Sequence, residues 1–271
     1  MRGQSRLVVS LSQQPLKLLN PASPTPTCHV VLSSYGGGLV AGDSLRLHLT
    51  GEVHTRLFLS TQASTRVFRS PDGAVAEQHT TGVLGAGALA VVFPDPVVLQ
   101  AQSRYRQTQD WHLQPDSLLL LLDWFHAGRL EQGERFAFTS LQTELRVHVN
   151  QQLVVLDRFS FRPAEHIAPS PAHFADYHTF LSVFLVGSPA DSRFAHLGRV
   201  LENQKMAGSQ QPHFRVDAVE CLVSVVRARD NVYVLRAAAR SRAALQPLCD
   251  ALLAALAAEE LLGYNPLKRK Y

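Results

Sequence analysis

Strict alternation of apolar and polar residues at two places in the chain most constrains its fold. Leucine or valine occupies every second position of 45–49 and 145–149, and arginine and histidine fill the positions between them. Side chains on a β-strand point alternately to opposite faces, so this period of two is typical of strands that bury one face. Residues 118–122 are five consecutive leucines, which fit a strand buried on both faces. The first 150 or so residues therefore read as strands.

Two helical patterns appear only in the last hundred residues. Residues 191–205 place apolar side chains at helical spacing, with Asp191 or Ser192 as an N-cap residue. A second helix is predicted after Ser241, because four leucines between 245 and 256 fall on one helix face. Strands followed by a mixed segment indicate a β-dominated protein with a small α+β lobe.

The turn signals complete the predicted architecture. The dipeptides Asn150-Gln151 and Asp230-Asn231 each separate two strand patterns, which predicts two hairpins. Residues 163–171 are predicted to be a loop or boundary. We therefore predict a mainly β fold of packed sheets, with a β-rich body over 1–165 and a C-terminal α+β lobe with two helices over 166–271, forming one structural unit.

Charge and composition exclude several classes of protein. The 26 basic and 22 acidic residues give a net charge of +4, and the arginines are scattered along the chain. A nucleic-acid-binding surface would require a basic cluster, so no nucleic-acid partner is expected. No apolar run approaches the roughly 20 residues of a membrane-spanning helix. Three widely spaced cysteines and a short apolar N-terminal stretch favour a reducing compartment without a secretory signal, hence the cytoplasm.

The known short motifs of catalysis and phosphate binding are missing from the sequence. The glycine-rich stretch 36–42 lacks the endings of nucleotide-binding loops, and Gly37, Gly38 and Gly42 instead predict a tight turn. The twelve histidines are dispersed, and His173 and His178 come nearest to metal-ligand spacing. Neighbouring strand residues point to opposite faces, so Cys28-His29 is interpreted as a buried cysteine beside an exposed histidine rather than a metal pair.

Two carboxylates interrupt apolar strand patterns. Asp123 follows the five leucines, and Asp157 follows Val154–Leu156. Burying an unpaired carboxylate costs several kcal/mol, so each needs a partner, water or a metal ion. Arg129 and Arg158 are the nearest candidate ion-pair partners in sequence. A salt bridge and a metal-ligand role both fit these residues, and no catalytic set can be assembled from the motifs present.

Four short segments of the chain form a recognisable set when they are taken together. They are Cys28-His29 with 37–43 (GGLVAGD), 61–70 (TQASTRVFRS), 93–96 (FPDP), and 122–136, which contains Leu122-Asp123-Trp124, Gly128-Arg129 and Gly133-Glu134-Arg135-Phe136. In order and spacing they resemble the urease accessory protein D family, which is called H in some bacteria. The similarity extends from about residue 15 to residue 258.

The resemblance implies a non-catalytic assembly factor. Members of the family are described as mostly β with two helices, and as forming a complex with urease accessory proteins F and G. They are implied to bind apo-urease and to help deliver nickel to its active site, which makes nickel a transient cargo. The acidic positions proposed to line the family's nickel route fall on Asp43, Asp123 and Asp157 of this chain.

The sequence departs from the family pattern in three places. Much of the family's first strand pair is missing, so Met1–Ser10 is interpreted as a truncated or alternative start. Ser44 stands where some relatives carry an acid, and the tail 265–271 differs from the family's ending.

Partner binding is predicted to use the C-terminal lobe, because arginines are enriched at interfaces and flank its helices. These arginines are Arg193, Arg199, Arg240 and Arg242.

Two alternatives come from other functional classes. The first is a pure protein-interaction scaffold in which partners carry all the metal. The second is a small-molecule hydrolase with Asp123 and Glu134 as paired carboxylates, which would require their carboxyl groups to lie roughly 5–10 Å apart in one pocket.

Overall fold

Strands dominate the computed structural model, which describes residues 3–166, 168, 170, 174, 176–204 and 219–267. The strands in chain order are β1 (Leu16–Leu19), β2 (Cys28–Ser34), β3 (Gly38–Leu39), β4 (Ser44–Gly51), β5 (Arg56–Thr61), β6 (Thr65–Val67), β7 (Ala76–Leu84), β8 (Leu89–Phe93), β9 (Val97–Leu99), β10 (Arg104–Leu113), β11 (Leu118–His126), β12 (Ser140–Val149), β13 (Gln152–Phe161), β14 (Thr179–Val186), β15 (Cys221–Arg229) and β16 (Val232–Ala239). The helices are α1 (Pro163–His166), α2 (Ser192–Glu202) and α3 (Gln246–Leu256). The prediction of a mainly β fold is confirmed.

The strands form an eleven-stranded large sheet and a five-stranded small sheet. The main path of the large sheet runs β1-β2-β5-β8-β11-β14-β16-β15, and the small sheet runs β13-β12-β10-β7-β4. Strands β2, β5, β8 and β11 pair in parallel, as do β4, β7, β10 and β12. The chain therefore winds back and forth between the sheets as a solenoid, with β3, β6 and β9 pairing in parallel beside the windings.

The later strands close this solenoid with antiparallel pairs. β13 returns along β12 through Asn150 and Gln151, whose φ angles of 47° and 65° are those of a type I′ hairpin turn. β14 pairs antiparallel with β11, and β16 and β15 follow it. β14 thus extends the same sheet as β11 across the expected body–lobe boundary, and the division into body and lobe stays a prediction.

Three apolar clusters fill the spaces between the layers. In β11, Leu118, Leu120 and Leu122 pack on the helix side of the large sheet with residues of α2 and α3. Leu119 and Leu121 face the small sheet and join a second cluster there. A third, phenylalanine-rich cluster lies between the sheets and includes Phe136, Phe138 and Phe161. The leucine run is thus buried on both faces, as its sequence predicts.

The helices differ in detail from the prediction. Asp191 caps α2 by accepting the Arg193 N–H at 2.8 Å, but this helix ends at Glu202, and Lys205 lies outside the described residues. The Ser241 hydroxyl accepts the Ala244 N–H at 3.1 Å ahead of a 3-10 turn, so α3 begins only at Gln246. The expected loop after residue 163 contains the one-turn helix α1. No helix among the described residues is long and apolar enough to cross a bilayer.

Candidate functional site

The space between the two sheets contains two cavities that share one carboxylate. Their volumes are about 670 and 610 Å³, and Asp123 lines both. Val97, Gln107 and Trp124 also border both cavities. Asp123 faces the small sheet because it occupies the same face of β11 as Leu121. The carboxylate therefore lies at the junction of the two cavities, where the apolar packing between the sheets is interrupted.

A chain of polar side chains from the small sheet reaches this carboxylate. Gln107 donates from Nε2 to Asp123 Oδ2 at 2.9 Å, and the Tyr105 hydroxyl donates to Gln107 Oε1 at 3.1 Å. Tyr105 Oη lies 3.3 Å from Gln78 Oε1. The alternation that buries Tyr105 and Gln107 in β10 turns both toward the large sheet. The hydrogen bond from Gln107 engages Oδ2 of Asp123. A cation in either cavity could approach the second carboxylate oxygen, Oδ1.

Asp157 approaches the same cavity from the small sheet. Asp123, Ser182 and Arg236 are direct neighbours across β11, β14 and β16. Arg236 donates to the Ser182 hydroxyl and to Asp157 Oδ1, and its guanidinium lies 5.1 Å from the centre of the Phe184 ring. Asp123 and Asp157 both line the smaller cavity. The structure therefore brings two of the three predicted carboxylates to one cavity, with Arg236 balancing part of their charge.

Burial makes Asp123 a weaker acid than usual. The pKa of Asp123 is raised from 3.8 to about 6, chiefly because burial removes water from the carboxylate. The Gln107 hydrogen bond and the charge of Arg236 limit this rise, and the charge of Asp157 contributes to it. The same burial, with the charge of Asp123, raises the pKa of the Tyr105 hydroxyl, so that group stays protonated. At pH 7 most Asp123 carboxyls are ionised, and protons compete with a cation below about pH 6.

The raised pKa predicts a pH-dependent stabilisation by Asp123→Asn. In the unfolded chain the carboxyl ionises near pH 3.8, so folding becomes less favourable as pH rises toward 6, and the full cost of about 3 kcal/mol applies above that pH. Asparagine avoids this cost. We expect the free energy of unfolding of the variant, relative to the parent chain, to rise by about 2 kcal/mol between pH 4.5 and 7.

Urea denaturation at both pH values measures this difference. Asp116→Asn is the matched control, because Asp116 is exposed in the turn between β10 and β11. A stability difference for Asp123→Asn that does not change with pH would contradict an elevated pKa.

The wall of the larger cavity contains an ion pair between a buried carboxylate and a partly exposed arginine, which the sequence patterns did not reveal. Asp95 has a side-chain exposure of 5% and accepts from Arg242 at 3.1 Å and from the Thr61 hydroxyl at 2.8 Å. Trp124 donates from Nε1 to the Pro94 carbonyl at 2.7 Å, and the Arg242 guanidinium lies 5.6 Å from the centre of the Trp124 ring. The segment 93–96 is one of those that resemble the family, and its Asp95 carboxylate connects Thr61 of β5 with Arg242 ahead of α3.

Asp43 is placed apart from the two interior carboxylates. Its Oδ2 accepts the Val40 N–H at 2.9 Å, so it caps the glycine-rich turn, and it is not among the residues lining either cavity. In this turn Gly37 and Gly42 have φ angles of 75° and 82°, which other residues rarely adopt. At Gly38 a Cβ atom would overlap the Arg66 carbonyl. Gly37 and Gly42 are therefore required by the φ angles of the turn, and Gly38 by the close approach of β3 to β6.

Three of the four arginines predicted to bind partners make ion pairs within the chain. Arg193 pairs with Asp191 at 2.7 Å, Arg242 pairs with Asp95, and Arg240 lies 3.6 Å from Glu220 and 3.8 Å from Asp176. Arg199 is exposed on α2.

The two ion-pair partners suggested by closeness in sequence are wrong. Arg129 pairs with Glu134 and Arg158 pairs with Glu144 at 2.7 Å, so neither is the partner of Asp123 or Asp157. Glu134, the carboxylate that the hydrolase alternative pairs with Asp123, is not among the residues lining the cavities of Asp123. Its hydrogen bond with Arg129 lowers the pKa of Glu134.

His29 is buried rather than exposed. It packs edge-on against Phe58 and lies 3.2 Å from the Tyr264 hydroxyl, while Cys28 faces the core between the sheets. The two side chains do point to opposite faces, which excludes a shared metal ion. His173 lies outside the described residues.

Comparison with known proteins assigns the chain to a family. The family model described as UreD urease accessory protein matches residues 1–270. A urease accessory protein UreD of Cytophaga hutchinsonii is 35% identical over 272 residues, which cover 99% of this chain and 94% of that protein. One from Sorangium cellulosum is 35% identical over 269 residues, covering 99% and 81%. One from an Anaeromyxobacter species is 38% identical over 164 residues, covering 60% and 54%.

The match extends over nearly the whole chain and includes the segments that form the cavity walls. Proteins of this description are non-catalytic assembly factors. The chain therefore belongs to the UreD family of urease accessory proteins, and its role lies in urease maturation rather than in catalysis.

Proposed function

We propose that this chain passes nickel through its interior to apo-urease, as a non-catalytic delivery factor. The observation that carries the proposal is the position of Asp123, whose carboxylate borders both cavities between the sheets. A cation that moves from one cavity to the other would pass this group. In this proposal Asp123 and Asp157 are successive binding points for the ion.

The chemistry of the cavity walls fits a divalent cation in transit. Nickel accepts carboxylate oxygen and water as ligands. The larger cavity also presents Asp95 and hydroxyl groups such as those of Ser60, Thr61 and Ser64. Water in such cavities would reduce the cost of transferring a charged ion between the sheets. A site with few protein ligands binds weakly, which allows the ion to leave.

Arg236 supplies a second reason for weak binding. Its guanidinium already pairs with Asp157, with 2.5 Å between the nearest nitrogen and oxygen, so an arriving cation must displace it. The Ser182 hydroxyl and the Phe184 ring remain as contacts for the displaced guanidinium. The exchange of one positive charge for another keeps the carboxylates partly neutralised at each stage.

The proposed partners are apo-urease and the urease accessory proteins F and G, in the cytoplasm. Arg193, Arg199, Arg240 and Arg242 remain the proposed partner-facing residues. Arg199 is the best placed of the four, because its exposed side chain lies on α2. Asp43 remains a proposed metal-contacting residue at the surface turn, separate from the interior pair.

Replacing both interior carboxylates tests the proposal. We expect the Asp123→Asn/Asp157→Asn double variant to lower nickel-dependent urease activation at least tenfold when it is combined with apo-urease and proteins F and G. Asparagine keeps the side-chain volume but removes the negative charge that attracts the ion. The measurement is the initial rate at which urease activity appears at limiting nickel, with assembly measured separately by co-purification.

Asp116→Asn is the control for this experiment and should activate urease like the parent chain. Normal activation by the double variant would contradict a nickel route past these carboxylates. Activation lost together with assembly would also count against it, and would favour a scaffold whose partners carry all the metal.

A further inference from the structure

We propose that Asp110, His112 and His148 form a binding site for a divalent transition-metal ion of the zinc or nickel class. The site lies on the outer face of the small sheet, away from the cavities between the sheets. It is independent of the proposed nickel route, because the small sheet separates it from Asp123.

The strand register brings the three side chains together. Asp110 and His112 are two residues apart in β10, so they lie on the same face of the sheet. His148 is the direct neighbour of His112 in the parallel pairing of β10 with β12. Trp111 and Val147, which adjoin these residues in sequence, point to the opposite face and are buried between the sheets.

The distances among the three side chains suit a metal centre. Asp110 Oδ1 lies 3.3 Å from His112 Nε2 and 3.3 Å from His148 Nδ1, and all three ligand atoms lie within 4.8 Å of one another. Metal–ligand bonds of about 2.1 Å in a tetrahedral site place ligand atoms about 3.4 Å apart. Both ring nitrogens lie against the same carboxylate oxygen. The imidazole rings stack with centres 4.9 Å apart and 7° between their planes, so one ring must rotate for both lone pairs to point at one ion.

Hydrogen bonding does not account for this convergence. Asp110 Oδ1 and His148 Nδ1 are both shielded from solvent, and their contact has the 3.3 Å distance of an ion pair without the geometry of a hydrogen bond. Neither atom has a hydrogen bond to another described residue. Buried polar atoms without a hydrogen bond are rare in folded proteins, and a bound ion is one of their recognised explanations. His79 on the same face differs, because its Nδ1 lies 2.6 Å from the Thr108 hydroxyl.

The chemistry of the ligands selects the class of ion. Two imidazole nitrogens and one carboxylate oxygen suit zinc, nickel, copper and iron rather than calcium or magnesium. Three protein ligands leave at least one position for water or for a ligand from another molecule. The nearby Arg146 is already paired with Glu144 at 2.5 Å, which reduces its repulsion of a cation.

Metal binding by the full chain tests this site. We expect equilibrium dialysis with Zn(II) alone or Ni(II) alone to show one fewer bound ion, or at least tenfold weaker binding of one ion, for the His112→Ala/His148→Ala variant. Asp110→Asn should weaken the same ion. Co(II) bound to the parent chain should give a visible absorption spectrum that the double variant loses.

Two matched variants isolate the site. His48→Ala alters an exposed histidine on the same face, two strands from Asp110 and thus about 10 Å away, and should leave binding unchanged. Asp123→Asn/Asp157→Asn should keep this ion, so failure of the interior route would not be mistaken for failure of the outer site. Unchanged stoichiometry and affinity in both the His112→Ala/His148→Ala variant and Asp110→Asn would overturn the proposal.

Discussion

Arg242→Ala is expected to lower the free energy of unfolding by about 3 kcal/mol. The substitution removes the positive charge 3.1 Å from Asp95, a carboxylate with only 5% of its side chain exposed. It also removes the guanidinium from the face of Trp124. The Thr61 hydroxyl still donates to Asp95, and 39% of the Arg242 side chain is exposed to solvent. Both facts keep the expected loss at the lower end of the range for a broken buried ion pair.

A charge-free replacement of the whole pair separates burial of an unbalanced charge from loss of packing. Asp95→Asn/Arg242→Met keeps a hydrogen-bond acceptor for Thr61 and an unbranched side chain beside Trp124. We expect it to recover at least half of the stability lost in Arg242→Ala, measured by urea denaturation. Arg199→Ala is the exposed control and should change stability by less than about 0.5 kcal/mol. Equal losses in Arg199→Ala and Arg242→Ala would contradict the structural role of the pair.

This ion pair changes how the partner-binding arginines should be tested. A charge-reversed Arg242 variant would place two negative charges together at the cavity wall, so its failure to co-purify with protein F could report misfolding. Arg199 avoids this ambiguity because its exposed side chain lies on α2. The prediction that four arginines serve partners rested on their closeness to helices in sequence, which does not reveal that Asp95 lies beside one of them.

Local signals in the sequence predicted the elements well, but not how they are arranged. Alternation and turn dipeptides place β4, β12, β13 and the hairpin of β15 with β16, because each depends on neighbouring residues. The parallel solenoid depends on pairings such as β5 with β8, which join segments about 30 residues apart. The windings share no repeated motif, so nothing local marks that register.

Local sequence patterns reveal some residues of the candidate sites, but they do not reveal which residues lie beside them in the fold. Asp123 and Asp157 were noticeable because each interrupts an apolar pattern. The partner of Asp123, Gln107, lies on the preceding strand but in the other sheet, and the partner of Asp157, Arg236, is 79 residues away in sequence. Asp110 and His112 could have been paired from their spacing of two residues on a strand. Their convergence with His148 required the register of β10 with β12, which the sequence does not display.

Gly82 shows how a single strand position controls the packing between the sheets. It is the direct neighbour of Trp111 in the pairing of β7 with β10, and the indole covers it. A Cβ atom at this position would overlap Trp111 Cε3, and Trp111 is fully buried. Overpacking a rigid core site costs typically 1–3 kcal/mol, so we expect Gly82→Ala to lower the free energy of unfolding by about 3 kcal/mol.

A double-mutant cycle shows whether the indole causes this loss. Trp111→Leu alone leaves a cavity, but it also removes the atoms that the methyl group introduced by Gly82→Ala would meet. The loss in Gly82→Ala/Trp111→Leu should therefore be smaller than the sum of the single losses by at least about 1 kcal/mol. Gly51→Ala in β4 is the matched control, because its Cβ would lie 3.0 Å from Leu84 Cδ2 and 3.2 Å from Thr55 Oγ1, much less close than the 2.1 Å contact at Gly82. Strict additivity in the cycle would contradict a direct clash, and would mean that Gly82 is required by the backbone of β7 rather than by Trp111.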